Sequence, residues 1–228
     1  MSASELQRTG FRVISKMFDK LSELPQHDLI FRGHGDKSWP LVPSVYRKGK
    51  VGIRNREQLR EWIIAADRFV QPRPQSDVEW LVWAQHYGIA TSFLDWTVSP
   101  LIALFFAAED QSHRNGMVLS ARRTAFNPWI YLSSVNVFGD ARKRAGLVAA
   151  SSINARALAQ DSVMTLHTPF YERELPNSRV SSLFEVRSSE KKAVLAAMNT
   201  LGINRERVYS DITILVDRLL EHPIFRRN

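Results

Sequence analysis

Residues 85–97 read Gln-His-Tyr-Gly-Ile-Ala-Thr-Ser-Phe-Leu-Asp-Trp-Thr, and they separate two strongly apolar segments of the chain. Before them, Asp77 can cap a helix that Gly88 ends, because glycine readily adopts the left-handed conformation at a helix terminus. Within them, the β-rich run from Ile89 to Trp96 predicts a short strand. After them, Ser99-Pro100 is typical of an N-cap followed by proline at the first helical position. The pattern predicts helix, strand and helix, with polar residues held between them.

The rest of the sequence mixes helical and strand-like patterns. Apolar residues at three- and four-residue spacing predict an N-terminal helix at about residues 4–24. Further strands are predicted at 29–33, 117–121, 163–167 and 182–186, and further helices from 56, at 153–160, from 188 to 202 and from 212. Because helices and strands do not alternate strictly, we expect an α+β fold with a mixed, largely antiparallel sheet flanked by helices. No repeat or linker divides the sequence, which predicts a single domain over residues 1–228.

Composition and charge narrow the class of protein. The chain has no cysteine, which excludes disulfides, a thiol nucleophile and thiolate metal sites. Its longest apolar run, Leu101 to Ala108, is far shorter than the roughly 20 residues of a membrane helix, and the residues after Met1 lack the pattern of a signal peptide. We therefore expect a cytoplasmic protein without a membrane contact. The net charge of +8 favours phosphate-rich partners, either nucleic acid or anionic nucleotides.

The first candidate for chemistry is the run Phe31-Arg32-Gly33-His34-Gly35. A guanidinium offers five donors in a fixed fork that suits phosphate or carboxylate, and glycine lets a backbone or a ligand come close. The run predicts either an anion-binding Arg32 at the end of a buried strand or a structural arginine paired with a carboxylate beneath a turn.

The second candidate is the polar content of residues 85–97. Polar side chains that enter a core each cost about 1–3 kcal/mol unless they find partners. This cluster is therefore either an internal hydrogen-bonded network or a site, and Asp95 is the natural counter-ion of Arg32. A triad of Ser92, His86 and Asp95 is disfavoured, because no nucleophile-elbow pattern surrounds a serine.

Carboxylates in the second half of the chain form the third candidate. Glu172 and Glu174 are two residues apart, so on an extended segment they face the same side and can do acid–base or ribose-anchoring work. On a basic protein such pairs are usually solvated partners of arginines. Glu185 follows in a later predicted strand. The six histidines are scattered without metal-ligand spacing, so no metal is expected.

Several motifs in order along the chain resemble the FRG family, a largely uncharacterised domain named for its Phe-Arg-Gly motif and found in bacteria and their phages. Phe31-Arg32-Gly33 is followed by Leu41-Val42-Pro43-Ser44-Val45-Tyr46-Arg47, which is similar to the family's L-x-P-S-x-x-R. Residues 85–88 and 91–97 match its central QHYG…T…LDWT signature, and residues 99–107 continue the pattern. The ordered series is far more specific than a lone tripeptide.

A more distant resemblance is to the arginine-type mono-ADP-ribosyltransferases, which have an aromatic-Arg-Gly at a first strand, a Thr/Ser-bearing second strand and a later Glu-x-Glu. It implies an NAD-dependent enzyme of a phage, bacterial defence or toxin context that modifies protein or nucleic acid. It implies that Arg32 is a catalytic residue that binds the pyrophosphate of NAD, and that Glu174 is the catalytic carboxylate that steadies the ribosyl cation. The sequence leaves open which of Glu172, Glu174 and Glu185 reaches the pocket. The further residues predicted to bind the cofactor are Gly33, His34, Gln85, His86, Tyr87, Thr91, Ser92 and Asp95.

Two hypotheses about function follow from these residues. In the first, the chain is an ADP-ribosyltransferase-like enzyme. In the second, it is a non-catalytic module in which Arg32 and Asp95 form a core ion pair and the basic surface binds nucleic acid or a protein partner. An open pocket that both residues face favours the enzyme, whereas a closed bidentate pair packed under Trp96 favours the module. The module hypothesis also predicts that Arg32→Ala unfolds the protein.

Overall fold

The structure is a computed structural model that describes residues 2–25, 27–126, 136–139, 145–149, 158–167, 175 and 178–221. The helices of this part are α1 (Ala3–Ser22), α2 (Arg56–Ala66), α3 (Asp77–His86), α4 (Pro100–Glu109), α5 (Ser188–Thr200), α6 (Arg205–Tyr209) and α7 (Ile212–Glu221). The strands are β1 (Leu29–His34), β2 (Phe93–Thr97), β3 (Gly116–Arg122), β4 (Gly146–Ala149), β5 (Ser162–Leu166) and β6 (Val180–Val186). Short 3₁₀ turns lie at Ser44–Tyr46 and Arg123–Ala125.

The six strands form one sheet in the order β4-β5-β2-β1-β3-β6, and each pair of neighbours is antiparallel. The predicted α+β class, with its largely antiparallel sheet and flanking helices, is confirmed. The central strand β1 pairs with β3 along its whole length, from Leu29–Arg122 to His34–Met117. Its pairing with β2 is recorded at Phe31–Thr97. The C-terminal half of β1 therefore runs beside β2 at the place where the candidate site forms.

Alternate residues of the central strands enter different parts of the core, as the two-residue period of a strand requires. Phe31 packs in a cluster with apolar residues of α1, α4 and α5. Phe93 packs with residues of α2 and α3. Ile30, Leu94 and Trp96 meet in a third cluster with residues of β4 and β5. The signature strand β2 is thus buried by helices on one face and by the third cluster on the other.

Local capping explains where the helices begin. Ser99 accepts a hydrogen bond from the Ile102 N–H at 3.4 Å, and Pro100 is the first helical residue, as predicted. The predicted cap at Asp77 is wrong by one position: Ser76 accepts from the Glu79 N–H at 3.2 Å, and Asp77 is the first residue of α3. A hydroxyl one residue earlier reaches the free amide, while Asp77 stays in the acidic first turn.

The other predicted elements agree with the structure apart from their ends. Strand β2 begins at Phe93 instead of Ile89 and ends at Thr97. The N-terminal helix spans 3–22 instead of about 4–24, and α5 begins at Ser188 as predicted but ends at Thr200 instead of residue 202. Of the helix predicted at 153–160, residues 153–157 lie outside the described residues. Strand β4 and helix α6 were not predicted. Within the described ranges, no helix combines the length and apolar character that a membrane span requires.

Candidate functional site

Arg32 lies near the end of β1, on the same face of the strand as Ile30 and His34, and its side chain is partly buried. Its Nε donates to Nε2 of His34 at 3.1 Å. Its Nη1 donates to the main-chain oxygen of Asp95. The guanidinium thus crosses to strand β2 through a peptide carbonyl, and this contact differs from the bidentate carboxylate pair of the module hypothesis.

His34 acts as the hydrogen-bond acceptor beneath Arg32. The imidazole is 2% exposed, and burial is the main reason that its pKa falls to about 3, with the charges of Arg32 and Arg47 lowering it further. A hydrogen bond with the main chain of Trp39 opposes the shift. At neutral pH the ring is therefore uncharged, which is the form that can accept the proton of the Arg32 Nε–H.

The carboxylate of Asp95 is held by helix α3. Oδ1 of Asp95 accepts from Nε2 of Gln85 at 2.6 Å. Oε1 of Gln85 accepts in turn from Oγ1 of Thr91, whose side chain is fully buried. One amide thus links the end of α3 to the strand β2, so Gln85 and Thr91 position the acid.

Arg47 adds a second guanidinium that sequence reasoning did not include in the site. It is partly buried, and its Nε donates to the main-chain oxygen of Val42 at 2.9 Å. Burial lowers the pKa of both Arg32 and Arg47, and the negative charge of Asp95 opposes this in both. Among the described residues, the two partly desolvated cations Arg32 and Arg47 thus interact with a single carboxylate, that of Asp95. Such an excess of positive charge favours an additional anion.

A cavity of about 160 Å³ opens between β1, β2 and α4 at this point. Its lining consists of Phe31, Arg32, Gly33, Asp95, Trp96, Thr97, Phe106, Gln160 and Ser162. Gly33 has a packing reason to be glycine, since a Cβ there would lie 2.1 Å from the main-chain oxygen of Ala103 in α4. Arg32 and Asp95 therefore both line an open cavity, although Trp96 beside them is packed in the core.

The turn at Ser44–Tyr46 braces the strand β2 from the loop that carries Arg47. Oγ of Ser44 accepts from the Thr91 N–H at 3.2 Å, and the Val45 N–H donates to the Thr91 oxygen at 3.2 Å. Next to Thr91, Oγ of Ser92 is buried without a hydrogen-bond partner among the described residues. The sequence signal for this loop is the similarity of residues 41–47 to the family's L-x-P-S-x-x-R motif, which ends at Arg47.

His86 and Tyr87 lie at the end of α3, away from the residues that line the Arg32 cavity. Tyr87 is exposed and stacks on Trp83 with ring centroids 6.0 Å apart, and His86 meets the edge of the same ring at 5.8 Å. The two residues share a motif with Gln85 but are not among the described residues that line the Arg32 cavity. Their predicted role in cofactor binding stays a prediction.

The predicted catalytic carboxylate Glu174 and its neighbour Glu172 lie outside the described residues. Glu185 lies on β6, where its carboxylate accepts from Nζ of Lys37 at 2.9 and 3.0 Å and from Nδ2 of Asn115 at 2.6 Å. These contacts, above all the one with Lys37, lower its pKa. Among the described residues that line the Arg32 cavity, Asp95 is the carboxylate. In the same part of the chain, no group of three His, Asp or Glu side chains could hold a metal ion.

Comparison with known proteins agrees with the motifs. The model of the FRG domain matches residues 27–116, a range that contains Arg32, Arg47, Gln85 and Asp95. No curated protein and no solved structure matches the chain. Seven of the nine residues that line the cavity lie within this range, whereas Gln160 and Ser162 lie outside it. Residues 27–116 are thus the part of the chain that matches the FRG domain.

Proposed function

We propose that the Arg32 cavity binds a phosphate group of a nucleotide, and that the chain transfers ADP-ribose from NAD to a protein or nucleic acid. The observation that carries the proposal is that, among the described residues, two arginines and one carboxylate interact at this site, with Arg32 and Asp95 on the cavity wall. Arg32 and Arg47 are both partly removed from water, and Asp95 is the carboxylate that acts on both. A bound phosphate would supply the missing negative charge.

The hydrogen bonds of Arg32 support a role in binding. A guanidinium has five N–H donors, and two of those of Arg32 are engaged by described residues, at His34 and Asp95. The fork is held in place by these two bonds, so little side-chain entropy is lost when a ligand arrives. Remaining donors at a cavity wall suit a phosphate oxygen.

The size of the cavity limits what it can hold. A volume of about 160 Å³ is smaller than the roughly 300–1,000 Å³ of pockets that enclose a drug-sized ligand. A phosphate fits such a space, whereas a complete dinucleotide must extend beyond it. The proposal therefore assigns to Arg32 one phosphate of NAD and leaves the rest of the ligand to neighbouring surfaces.

The proposed reaction breaks the bond between C1′ of the nicotinamide ribose and the ring nitrogen. Nicotinamide leaves with the electron pair of that bond, and C1′ accepts a nucleophile of the substrate, which gives up a proton. The cationic transition state needs a nearby negative charge. Glu174 remains the predicted source of that charge, and Asp95, held by Gln85, is a second carboxylate that borders the phosphate position.

The test uses NAD labelled in the adenylate part, incubated with the purified chain and a cell lysate. We expect label on a macromolecule with the wild type, and at least about 100-fold less with Arg32→Lys or Glu174→Gln, because each change removes an interaction made in the transition state. Arg60→Lys, on the exposed face of α2, is the matched control and should retain activity. Equal labelling by Arg32→Lys and wild type would contradict the proposal.

A basic surface segment favours the nucleic-acid-binding module as a second candidate. Lys48, Lys50, Arg54, Arg56 and Arg60 are all exposed within 13 residues. If this surface binds nucleic acid, affinity for single-stranded RNA or DNA should fall steeply with salt, and Arg54→Glu combined with Arg60→Glu should remove most of it. Binding that is independent of salt and of these two residues would argue against the module.

A further inference from the structure

A second cleft adjoins the Arg32 cavity on the other side of Gly33. It has a volume of about 380 Å³, more than twice that of the first cavity. Its lining consists of Gly33, Gly35, Trp39, Phe106, Glu109, Asp110, Arg205 and Tyr209. Gly33 and Phe106 line both spaces, so a ligand that occupies the first cavity has the second one directly beside it.

Three aromatic side chains, Trp39, Phe106 and Tyr209, line this cleft. Tyr209 meets the edge of Phe106, with centroids 6.0 Å apart and planes at 86°. Trp39 lies across the cleft, 6.0 Å from the ring of His34, and it is partly exposed, as is Phe106. The guanidinium carbon of Arg205 lies 5.8 Å from the centroid of Tyr209. Partly exposed rings beside a cation form a surface on which a planar ring can stack.

One carboxylate in the cleft, that of Glu109, is held by a hydrogen bond and an ion pair. Oε2 of Glu109 accepts a hydrogen bond from the Tyr209 hydroxyl at 2.5 Å, and Oε1 forms an ion pair with Arg205, whose Nε lies 2.9 Å away. The Glu109 side chain is only 14% exposed. A carboxylate has about four acceptor positions, so a held one can accept a further N–H group from a ligand. The cleft thus combines stacking surfaces with a positioned acceptor.

We infer that this cleft is a ring subsite, which receives the planar base of a nucleotide whose phosphate lies at Arg32. The preferred base carries an amino or carboxamide group that donates to Glu109, a description that fits both adenine and nicotinamide. The inference rests on the proposed phosphate site, because Gly33 and Phe106 bring the two spaces together. It adds to the proposed function that the base of the nucleotide provides specificity and that the residues of this cleft recognise it.

The test compares three ligands that share one phosphate on a ribose: ribose 5-phosphate, AMP and nicotinamide mononucleotide. Calorimetric titration of the wild type should give an affinity at least about fivefold higher for AMP or nicotinamide mononucleotide than for ribose 5-phosphate, the gain expected of a stacked base. The nucleotide that gains more identifies the base. Trp39→Leu and Glu109→Gln should each reduce the gain and leave the affinity for ribose 5-phosphate unchanged.

Two controls separate the possible failures. Phe69→Leu, at an exposed ring that lines neither space, should leave all three affinities unchanged. If the nucleotides bind no more tightly than ribose 5-phosphate, the ring subsite is refuted and the phosphate site stands. If none of the three ligands binds the wild type, or if Arg32→Lys binds all three as tightly as the wild type does, the phosphate site is refuted. The ring subsite, which rests on the phosphate site, is then refuted as well. Loss of ribose 5-phosphate binding in a folded Trp39→Leu would also overturn the division into two subsites.

Discussion

Arg32 and Lys191 are both cations removed from water, but the molecule uses them differently. Lys191, on α5, is 2% exposed, and Arg32, on β1, is partly buried. Burial is the main cause that lowers the pKa of each. Nζ of Lys191 donates to three main-chain oxygens, of Gly35 at 2.6 Å, Asp110 at 2.6 Å and Gln111 at 2.9 Å. Arg32 reaches a neutral imidazole and one carbonyl and lines a cavity.

The difference shows that burial alone does not identify a functional cation. All three donors of Lys191 are used, and they join α5 to the C-terminal end of α4, where a positive charge is favoured by the helix dipole. That is the chemistry of a structural staple. Arg32 has five donors and an adjoining open space, which is the chemistry of a binding group. The two cations differ in the number of N–H donors outside the described hydrogen bonds and in the cavity that Arg32 lines.

The largest effect is expected when the staple is broken. Lys191→Met keeps the aliphatic part of the side chain but removes the donor of three carbonyl oxygens, one in a buried contact and two in partly buried ones. The free energy of unfolding should therefore fall by about 3 kcal/mol. Urea denaturation measures the change. Lys192→Met, at the exposed neighbouring position, should cost less than about 0.5 kcal/mol. Similar losses in the two variants would mean that Lys191 is not structural.

Acid should weaken the support beneath Arg32. The pKa of His34 is lowered from its ordinary 6.5 to about 3, so the unfolded chain binds one more proton than the folded chain between these values. Stability is therefore fully present above about pH 6.5 and is lost as the pH falls toward 3, with a slope approaching about 1.4 kcal/mol per pH unit from this group. His34→Gln, which still offers an acceptor, should flatten the slope of denaturation midpoints between pH 6.5 and 4.5. An unchanged slope would contradict the neutral imidazole.

A smaller loss of stability is expected when Gln85, which donates to the Asp95 carboxylate, is replaced. Gln85→Met is similar in size but cannot donate to the Asp95 carboxylate or accept from Thr91, and we expect a loss of about 1–2 kcal/mol. Anion affinity should change as well, because the carboxylate at the cavity is no longer fixed. Gln75→Met at an exposed position is the control in both measurements. A stable Gln85→Met with normal anion binding would remove Gln85 from the site.

The smallest effect concerns the helix that both cavities share. Ser99→Ala removes the N-cap of α4 and should cost about 1 kcal/mol. Because Ser99 and Glu109 lie at opposite ends of α4, anion binding should be unchanged at temperatures where the variant is folded. Ser189→Ala, exposed in the first turn of α5, provides the matched serine control. A large drop in binding with Ser99→Ala would show that α4 and not Arg32 controls the cavity.

The regular part of the fold was predictable because its signals are local. The apolar stripe of α1, the proline after Ser99 and the β-rich residues of β2 each indicate an element without reference to the rest of the chain. Strand β4 has only four residues, and α6 only five, so neither has room for a periodic pattern. Their formation depends on neighbours in space.

The site was predictable in its parts and not in its connections. Arg32, Gln85, Thr91 and Asp95 were all named from residue type and motif. The sequence suggested a side-chain ion pair between Arg32 and Asp95, whereas the guanidinium meets the main-chain oxygen and the amide of Gln85 holds the carboxylate. The role of Arg47 was not predicted, because Arg47 lies on a loop whose path brings it near Asp95. Such relations depend on strand register and loop path, which composition and spacing do not contain.

The central claim, that Arg32 is a binding group and not a staple, is tested most directly by calorimetric titration of inorganic pyrophosphate into wild type and Arg32→Lys. Urea denaturation of the same samples shows whether each is folded. We predict that wild type binds pyrophosphate, that Arg32→Lys stays folded and binds at least about tenfold more weakly, and that Arg60→Lys behaves as wild type. The claim is contradicted if pyrophosphate at millimolar concentration fails to bind the wild type, or if folded Arg32→Lys binds it equally well.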